Sequence, residues 1–197
     1  MNKVNMRSIK KKLNSAKKTE LKVEETANRV FNDSKNKFIE EFDSHPITKE
    51  IEQGPNSSNI SNTLNGVGNL FSFIGFDKNS NPVNEVRNII SKKFKLERPK
   101  KKTKETKVIF EYTIRYPGLE DLKSVSPMPW ESGRSWVSAI ERGISGFSNY
   151  MYKKFVEGRS GEALQTENKI RGGNYKPKKY MSEIISNFIK NLRMGTR

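Results

Sequence analysis

Cysteine is absent from the 197 residues, and histidine occurs once, at His45. The lack of cysteine excludes disulfide bonds, thiolate metal sites and cysteine nucleophiles. A metal site or catalytic pair built on histidine would have only one imidazole, which argues against the common hydrolases. Glycines lie close together at 66 and 68 and at 172 and 173. No Gly-Lys-Ser/Thr sequence follows either pair, so a phosphate-binding loop is also missing. We therefore expect a protein that is not an enzyme and that needs no cofactor or metal.

Apolar residues are scarce as well. They make up 32% of the chain, which is below the usual share in globular proteins. No stretch approaches the roughly 18 apolar residues of a membrane span, and no apolar signal region follows the basic N-terminus. We expect one thin hydrophobic core, no contact with a membrane and no secretion.

Positive charge is in excess. Lysine and arginine number 38 against 22 acidic residues, which gives a net charge of +16. Such a field attracts polyanions, although solvated charge explains any single cluster equally well. The basic residues cluster at 3–22, 98–107 and 169–197. Those predicted to face DNA or a partner protein are Lys3, Arg7, Lys10, Lys11, Lys12, Lys17, Lys18, Arg98, Lys100, Lys101, Lys102 and Lys104.

Helical periodicity covers much of the chain. Apolar residues at three- and four-residue steps predict helices over residues 5–18 and 20–43, and Pro46 ends the second one. A short helical turn should follow from Pro46 to Glu52. Asn81 and Pro82 are a typical N-cap and first helical residue, so a helix is predicted to about residue 94. The last helix should follow Pro177 and cover residues 180–192.

Strands are predicted in three places. The apolar run at residues 70–76 favours a strand with both faces covered, and residues 107–116 alternate as a half-buried strand does. Residues 136–141 and 147–153 suit a hairpin, with a helix over 136–142 as the alternative. Residues 98–104 are expected to form a mobile loop, and long loops are expected at 54–69 and 117–135.

These elements predict an α+β fold in which a long N-terminal helix and a C-terminal helix pack on a small, mostly antiparallel sheet. Residues 1–19 should form a basic arm, and residues 20–197 a single domain with extended loops. The apolar surface exceeds what one thin core can cover, so a neighbouring subunit is expected to cover part of it. The expected inter-subunit anchors are Leu70, Phe71, Phe73, Trp130 and Trp136.

Two other groupings have chemical interpretations. Glu40, Glu41, Asp43 and His45 could hold a divalent ion as in a nuclease, but a solvated helix end explains them better. Phe110, Tyr112 and Tyr116 could stack on nucleic-acid bases. Packing of one strand face against the core explains that alternation better.

Four segments, taken in order, resemble the neck and tail-completion proteins of tailed bacteriophages. They are the long N-terminal helix, the segment from Gly54 to Phe76 with its run NLFSFIGF at residues 69–76, WVSAIERG at residues 136–143 and NYKPKKY at residues 174–180. In that family an N-terminal helix packs on a small sheet, the aromatic-Glu-Gly element forms a strand, and the proline-aromatic segment opens the last helix. The basic N-terminus and the loop at 117–135 depart from compact members of the family.

The resemblance implies a structural protein of the virion, built into the head-tail junction after assembly in the host cytoplasm. It implies a homo-oligomeric ring of about six or twelve copies, acting as a head-tail connector, tail-completion or tail-terminator subunit. The partners would be other neck, portal or adaptor, and tail proteins, with non-specific DNA contact in the lumen. The charge alone leaves a second interpretation, a nucleic-acid-binding protein of ribosomal or chromatin type.

Overall fold

The structure, a computed structural model, describes residues 6–66, 68–104, 107–129, 131–144 and 175–195, and only the backbone of residues 6–15, 103, 104, 107 and 132. The helices in these ranges are α1 (Met6–Ser44), α2 (Pro46–Glu52), α3 (Leu70–Ile74), α4 (Pro82–Lys93), α5 (Leu119–Ser124), α6 (Trp136–Arg142) and α7 (Met181–Gly195). The strands are β1 (Lys95–Leu96), β2 (Lys100–Lys104), β3 (Lys107–Glu111), β4 (Ile114–Arg115), β5 (Pro127–Met128) and β6 (Glu131–Ser135). The predicted α+β class, with a long N-terminal helix, a C-terminal helix and antiparallel pairing, is confirmed.

Helix α1 joins the two helices that the sequence predicted separately. It runs for 39 residues without interruption, because neither proline nor glycine occurs within it, and at 1.5 Å per residue it is about 58 Å long. Among residues 16–44, whose side chains are described, the buried ones are Phe31, Ser34, Phe38 and Phe42. Residues 16–30 therefore extend beyond the main core.

The core is aromatic where α1 meets α7. Phe38 lies edge-on to Phe188, with ring centres 5.9 Å apart, and Phe94 at the end of α4 lies 5.1 Å from both rings. Tyr116 closes the cluster 5.4 Å from Phe188. Edge-to-face pairs of this kind are favoured by the ring quadrupoles. The cluster joins the N-terminal and C-terminal helices to the middle of the chain.

Residues 70–76 are not a strand. Residues 70–74 form helix α3, which begins where the Asn69 side chain accepts a 2.9 Å hydrogen bond from Ser72 N and ends at Gly75, whose φ is 86°. A short apolar run fits a buried helix as well as a buried strand, and here the two caps decide for the helix. The predicted strand is wrong for this reason.

The strands form three separate two-stranded antiparallel ladders, β1 with β4, β2 with β3 and β5 with β6. The lysine-rich run predicted as a loop is strand β2, with Lys102 opposite Ile109. The predicted strand at 107–116 is divided into β3 and β4 between residues 111 and 114. Val108 was expected to face the core, but it is 49% exposed, so alternation alone did not identify the buried face of β3.

The long loop predicted at 117–135 contains α5 and the β5–β6 ladder. The hairpin strand predicted at 136–141 is also wrong, and the alternative is confirmed, because residues 136–142 form α6. Ser135 caps this helix by accepting a 3.3 Å hydrogen bond from Ser138 N. Residues 147–153 and Trp130 lie outside the described residues.

Three predicted helices are confirmed, and for α4 the predicted N-cap is confirmed as well. Helix α2 begins at Pro46, and α4 begins at Pro82 after Asn81, whose side chain accepts from Asn84 N at 3.2 Å. Helix α7 covers the predicted C-terminal stripe. In each case the start signal and the apolar period lie close together in the sequence, so the element depends little on distant residues.

Candidate interaction surfaces

Glu50 of α2 is fully buried, and its carboxylate holds the loop at 54–69 in place. Oε2 accepts a hydrogen bond from Ser61 N at 2.7 Å, and Oε1 accepts from Asn59 Nδ2 at 2.8 Å and from Leu70 N at 2.7 Å. The last of these pairs a free N–H at the start of α3. Three donors on one carboxylate satisfy a charge that would otherwise be costly to bury.

The segments that carry the resemblance meet around this loop. The Phe73 ring stacks parallel on Tyr175, with centres 5.8 Å apart, and the Tyr175 hydroxyl donates to Ile140 O at 2.8 Å. Phe76 lies edge-on to Trp136 at 5.9 Å. Residues of the runs at 69–76, 136–143 and 175–180 therefore meet in one part of the core.

The acidic residue of the third segment caps the last helix. Glu141 Oε1 accepts from Tyr180 N at 3.1 Å and from Ser182 N at 2.7 Å, at the N-terminus of α7, where a carboxylate is favourable. Burial raises the pKa of Tyr180 above its ordinary range, and its hydroxyl lies 2.7 Å from Thr48 Oγ1. These polar groups satisfy one another, so their visible role is to hold the fold.

The expected inter-subunit anchors are mostly inside one chain. Leu70, Phe71 and Trp136 are 0, 1 and 1% exposed. Phe73 is half-buried on Tyr175. These large apolar side chains are thus covered by the chain itself and not by a neighbouring subunit. The prediction of a strand at 70–76 did not anticipate this burial.

The predicted basic residues fall into three groups. Lys17, Lys18, Arg98, Lys100, Lys101 and Lys102 are exposed. For Arg7, Lys10, Lys11 and Lys12 in α1, and for Lys104 in β2, only the backbone is described, and Lys3 lies outside the described residues. The exposed residues are divided between α1 and the segment that leads into and forms β2.

Lys101 brings β2 and α1 together. Its Nζ lies 3.2 Å from Glu20 Oε2 and 5.6 Å from the centre of the Phe110 ring. Lys102 pairs with Glu111 across the same ladder at 2.7 Å. Two of the predicted polyanion contacts are therefore already paired with carboxylates within the chain.

An apolar groove lies between the first half of α1 and the strands. Its volume is about 660 Å³, and it is lined by Lys18, Thr19, Lys22, Val23, Thr26, Ala27, Val30, Phe31, Leu96, Phe110, Tyr112, Ile114, Leu192 and Gly195. Val23, Ala27 and Val30 are only half-buried. They belong to the apolar stripe that predicted the helix at 20–43, but their spacing did not indicate that the rest of the described chain leaves them partly exposed.

The acidic group proposed as a nuclease site is dispersed. Asp43 pairs with Arg87 at 2.9 Å, and Glu41 accepts from Asn187 Nδ2 at 3.1 Å. His45 Nδ1 accepts from Ile47 N at 3.2 Å and caps α2. Within the described ranges, no group of three or more histidine or acidic side chains is placed to hold a metal ion.

Comparison of the chain with family models, with curated proteins and with solved structures gives no match in any of the three. In the part of the chain that the structure describes, no helix is long and apolar enough to cross a membrane.

Proposed function

We propose that the chain is a structural subunit of the neck of a tailed bacteriophage, which assembles as a ring at the head-tail junction. The supporting observation is that the described parts of three segments of the resemblance, 69–76, 136–143 and 175–180, lie against one another. Phe73 stacks on Tyr175, and Tyr175 donates to Ile140 O. Residues that define a common core must meet in space. Residues 136–142 form α6, however, and not the strand that the resemblance implied.

The surfaces outside the core suit assembly. Ile60 in the loop at 54–69 and Val108 and Ile109 on β3 are exposed apolar side chains outside the core and the groove, at 44, 49 and 44%. Uncovered apolar surface rimmed by polar residues is typical of protein interfaces. A ring gives such surfaces repeated neighbours through a heterologous contact that closes by rotation.

The test is the assembly state of the full chain and its location in particles. Native mass spectrometry and electron microscopy should give closed rings of about six or twelve copies. An antibody against the chain should label purified virions at the neck. A chain that stays monomeric at high concentration and is absent from purified particles would reject the proposal.

A second function, binding of nucleic acid, is favoured by the exposed basic residues on α1 and β2. Lys17, Lys18, Arg98 and Lys100 are exposed, and no ion pair found within the described residues involves them. A surface with several such cations can neutralise the phosphates of a nucleic acid and release the counterions bound to them. The proposed contact is independent of base sequence.

Salt dependence tests this second function. If six or more phosphates are neutralised, affinity for a random-sequence duplex should fall by about 10³ between low and moderate salt. Replacing Lys17, Lys18, Arg98 and Lys100 with alanine should reduce the salt slope. Replacing the exposed Lys49, Lys78, Lys92 and Lys190 with alanine removes the same number of charges elsewhere and is the control. Equal loss in both variants would mean that net charge, and not this surface, attracts the DNA.

A further inference from the structure

The groove beside α1 is bounded by two unlike edges. On one side, Glu20 of α1 is paired with Lys101 of β2, whose Nζ lies 5.6 Å from the Phe110 ring. On the other side, Lys18, Lys22, Glu25 and Arg29 follow one another at steps of four, three and four residues, which places them along one edge of the helix. All four are exposed.

This free edge carries unbalanced positive charge. No ion pair within the described residues involves Lys18, Lys22 or Arg29. Glu25 is the one acidic residue of the edge, so three cations stand against one carboxylate. This edge can therefore attract an anionic partner. On the opposite edge, the ion pair between Glu20 and Lys101 already neutralises the charge.

The floor of the groove is apolar and only partly covered. Val23, Ala27 and Val30 supply the helix side, and Phe110 and Ile114 supply the strand side. All five are half-buried. Near the far end, α7 meets α1 closely, since a Cβ added at Gly195 would lie 2.7 Å from Val30 Cγ1. The lining residues of α1 from Lys18 to Phe31 extend for about 20 Å at 1.5 Å per residue.

We propose that this groove binds an amphipathic helix of another protein, about four turns long, with an apolar face and acidic residues along one flank. An amphipathic helix laid in an apolar groove is a common mode of recognition, read by residues at i, i+3, i+4 and i+7. The apolar face would cover Val23, Ala27 and Val30, and the acidic flank would meet Lys18, Lys22 and Arg29. The positive charge of this edge is the reason why the flank of the partner helix should be acidic.

A second copy of the chain fits this groove poorly. Each copy carries a net charge of +16, and bringing a basic surface to the cationic edge adds repulsion. The groove is therefore assigned to a different, acidic protein. This assignment depends on the groove alone and would stand even if the chain were found outside virions.

The probe is a displayed library of 15-residue peptides, selected on the immobilised full chain. Selected peptides should carry apolar residues at i, i+3, i+4 and i+7 with aspartate or glutamate along one flank. Ala27→Trp, which fills the groove, should weaken a selected peptide by at least about tenfold. Leu21→Trp adds the same ring on α1, where Leu21 is exposed and does not line the groove, and it should bind as the wild type does.

Charge reversal tests the edge separately. Lys18→Glu with Lys22→Glu should weaken the peptide by about tenfold or more. Lys17→Glu with Lys37→Glu makes the same change of charge at exposed positions outside the groove and should have a much smaller effect. Circular dichroism and melting of each variant identify any loss of fold. If Ala27→Trp unfolds the chain, Ala27→Glu replaces it, because it repels an acidic ligand by charge and adds less bulk than tryptophan.

Three results would overturn the proposal. The first is a library that yields no binders sensitive to the groove variants. The second is selected peptides without acidic enrichment, or equal weakening by the two double variants. The third is a wild-type oligomer that Ala27→Trp dissociates in sedimentation while Leu21→Trp does not, which would give the groove to a second copy.

Discussion

The carboxylate of Glu50 accepts a 2.7 Å hydrogen bond from the backbone N–H of Leu70, which joins α2 to the first residue of α3 across 20 positions of sequence. Glu50 also accepts from Ser61 N at 2.7 Å, and it is fully buried. One side chain thus fixes the middle of the loop that separates the two helices and the point where the loop enters α3. Loss of a buried acceptor leaves its donors unpaired, which costs more than the net value of the bonds themselves.

Glu50→Gln should lower the free energy of unfolding by about 1–3 kcal/mol, because the new amide NH₂ group faces donors where an oxygen accepted before. Glu50→Ala should cost more, since it leaves three donors unpaired. Urea unfolding followed by circular dichroism measures both. Glu40→Gln, at an exposed position of α1, should change stability by less than about 0.5 kcal/mol. Equal effects at the two positions would contradict the role of Glu50.

The Tyr180 and Thr48 pair offers a cleaner measurement, because both side chains are fully buried and their oxygens lie 2.7 Å apart. Tyr180→Phe or Thr48→Val alone should cost about 1–3 kcal/mol, since one hydroxyl is left without its partner. The double variant should cost clearly less than the sum. A double-mutant cycle in urea measures the coupling. Strict additivity would indicate that the two hydroxyls do not share a hydrogen bond.

The elements predicted best from the sequence are those whose cap residues and apolar period lie close together in the chain. Asn81 and Pro82 start α4 in the same four residues that begin its apolar period, and the structure agrees. The run at 70–76 offered no such guidance, because seven apolar and small residues fit a buried strand and a buried helix equally. Asn69 and Gly75 favour the helix because they cap its two ends. Such residues are also common in turns, so they can be recognised as caps only after a helix has been assumed between them.

The candidate surfaces were less predictable, for a physical reason. Val23 and Phe38 belong to one apolar stripe of α1, yet Phe38 is covered by the core and Val23 lines an open groove. Whether a stripe is covered depends on elements distant in sequence. Lys101 was predicted as a polyanion contact, but Glu20 lies within 3.2 Å of it. A charge cluster in sequence does not reveal which charges are already paired.

Ser72 lies in α3, and its buried Oγ has no hydrogen-bond partner among the described residues. Ser72→Ala should therefore raise the free energy of unfolding by about 1 kcal/mol, because it removes an unpaired buried hydroxyl and introduces a better helix former. Thermal and urea unfolding measure the gain. Ser91→Ala in α4 is the control, since the Ser91 hydroxyl is exposed and donates to Asn88 O at 3.0 Å. A loss of stability in Ser72→Ala would mean that the hydroxyl is paired.

His45 should make the stability of the fold depend on pH. Its Nδ1 accepts a 3.2 Å hydrogen bond from Ile47 N, so the neutral ring carries its proton on Nε2. Burial chiefly, and the nearby Lys178 as well, lower the pKa of His45 below 6.5 in the folded chain, against the opposing effect of Glu183. The unfolded chain therefore binds a proton first as pH falls. The contribution of His45 is complete above 6.5 and is lost as pH falls through the folded pKa.

His45→Asn separates this effect from other titrating groups, because asparagine is a good N-cap and does not titrate in this range. The difference in free energy of unfolding, wild type minus His45→Asn, should be constant at about pH 7.5 and should fall steadily from about pH 6.5 to about pH 5. Urea unfolding at a series of pH values measures it. Curves that stay parallel over that range, or a wild type that gains stability in acid, would show that the His45 ring is not held neutral at the start of α2.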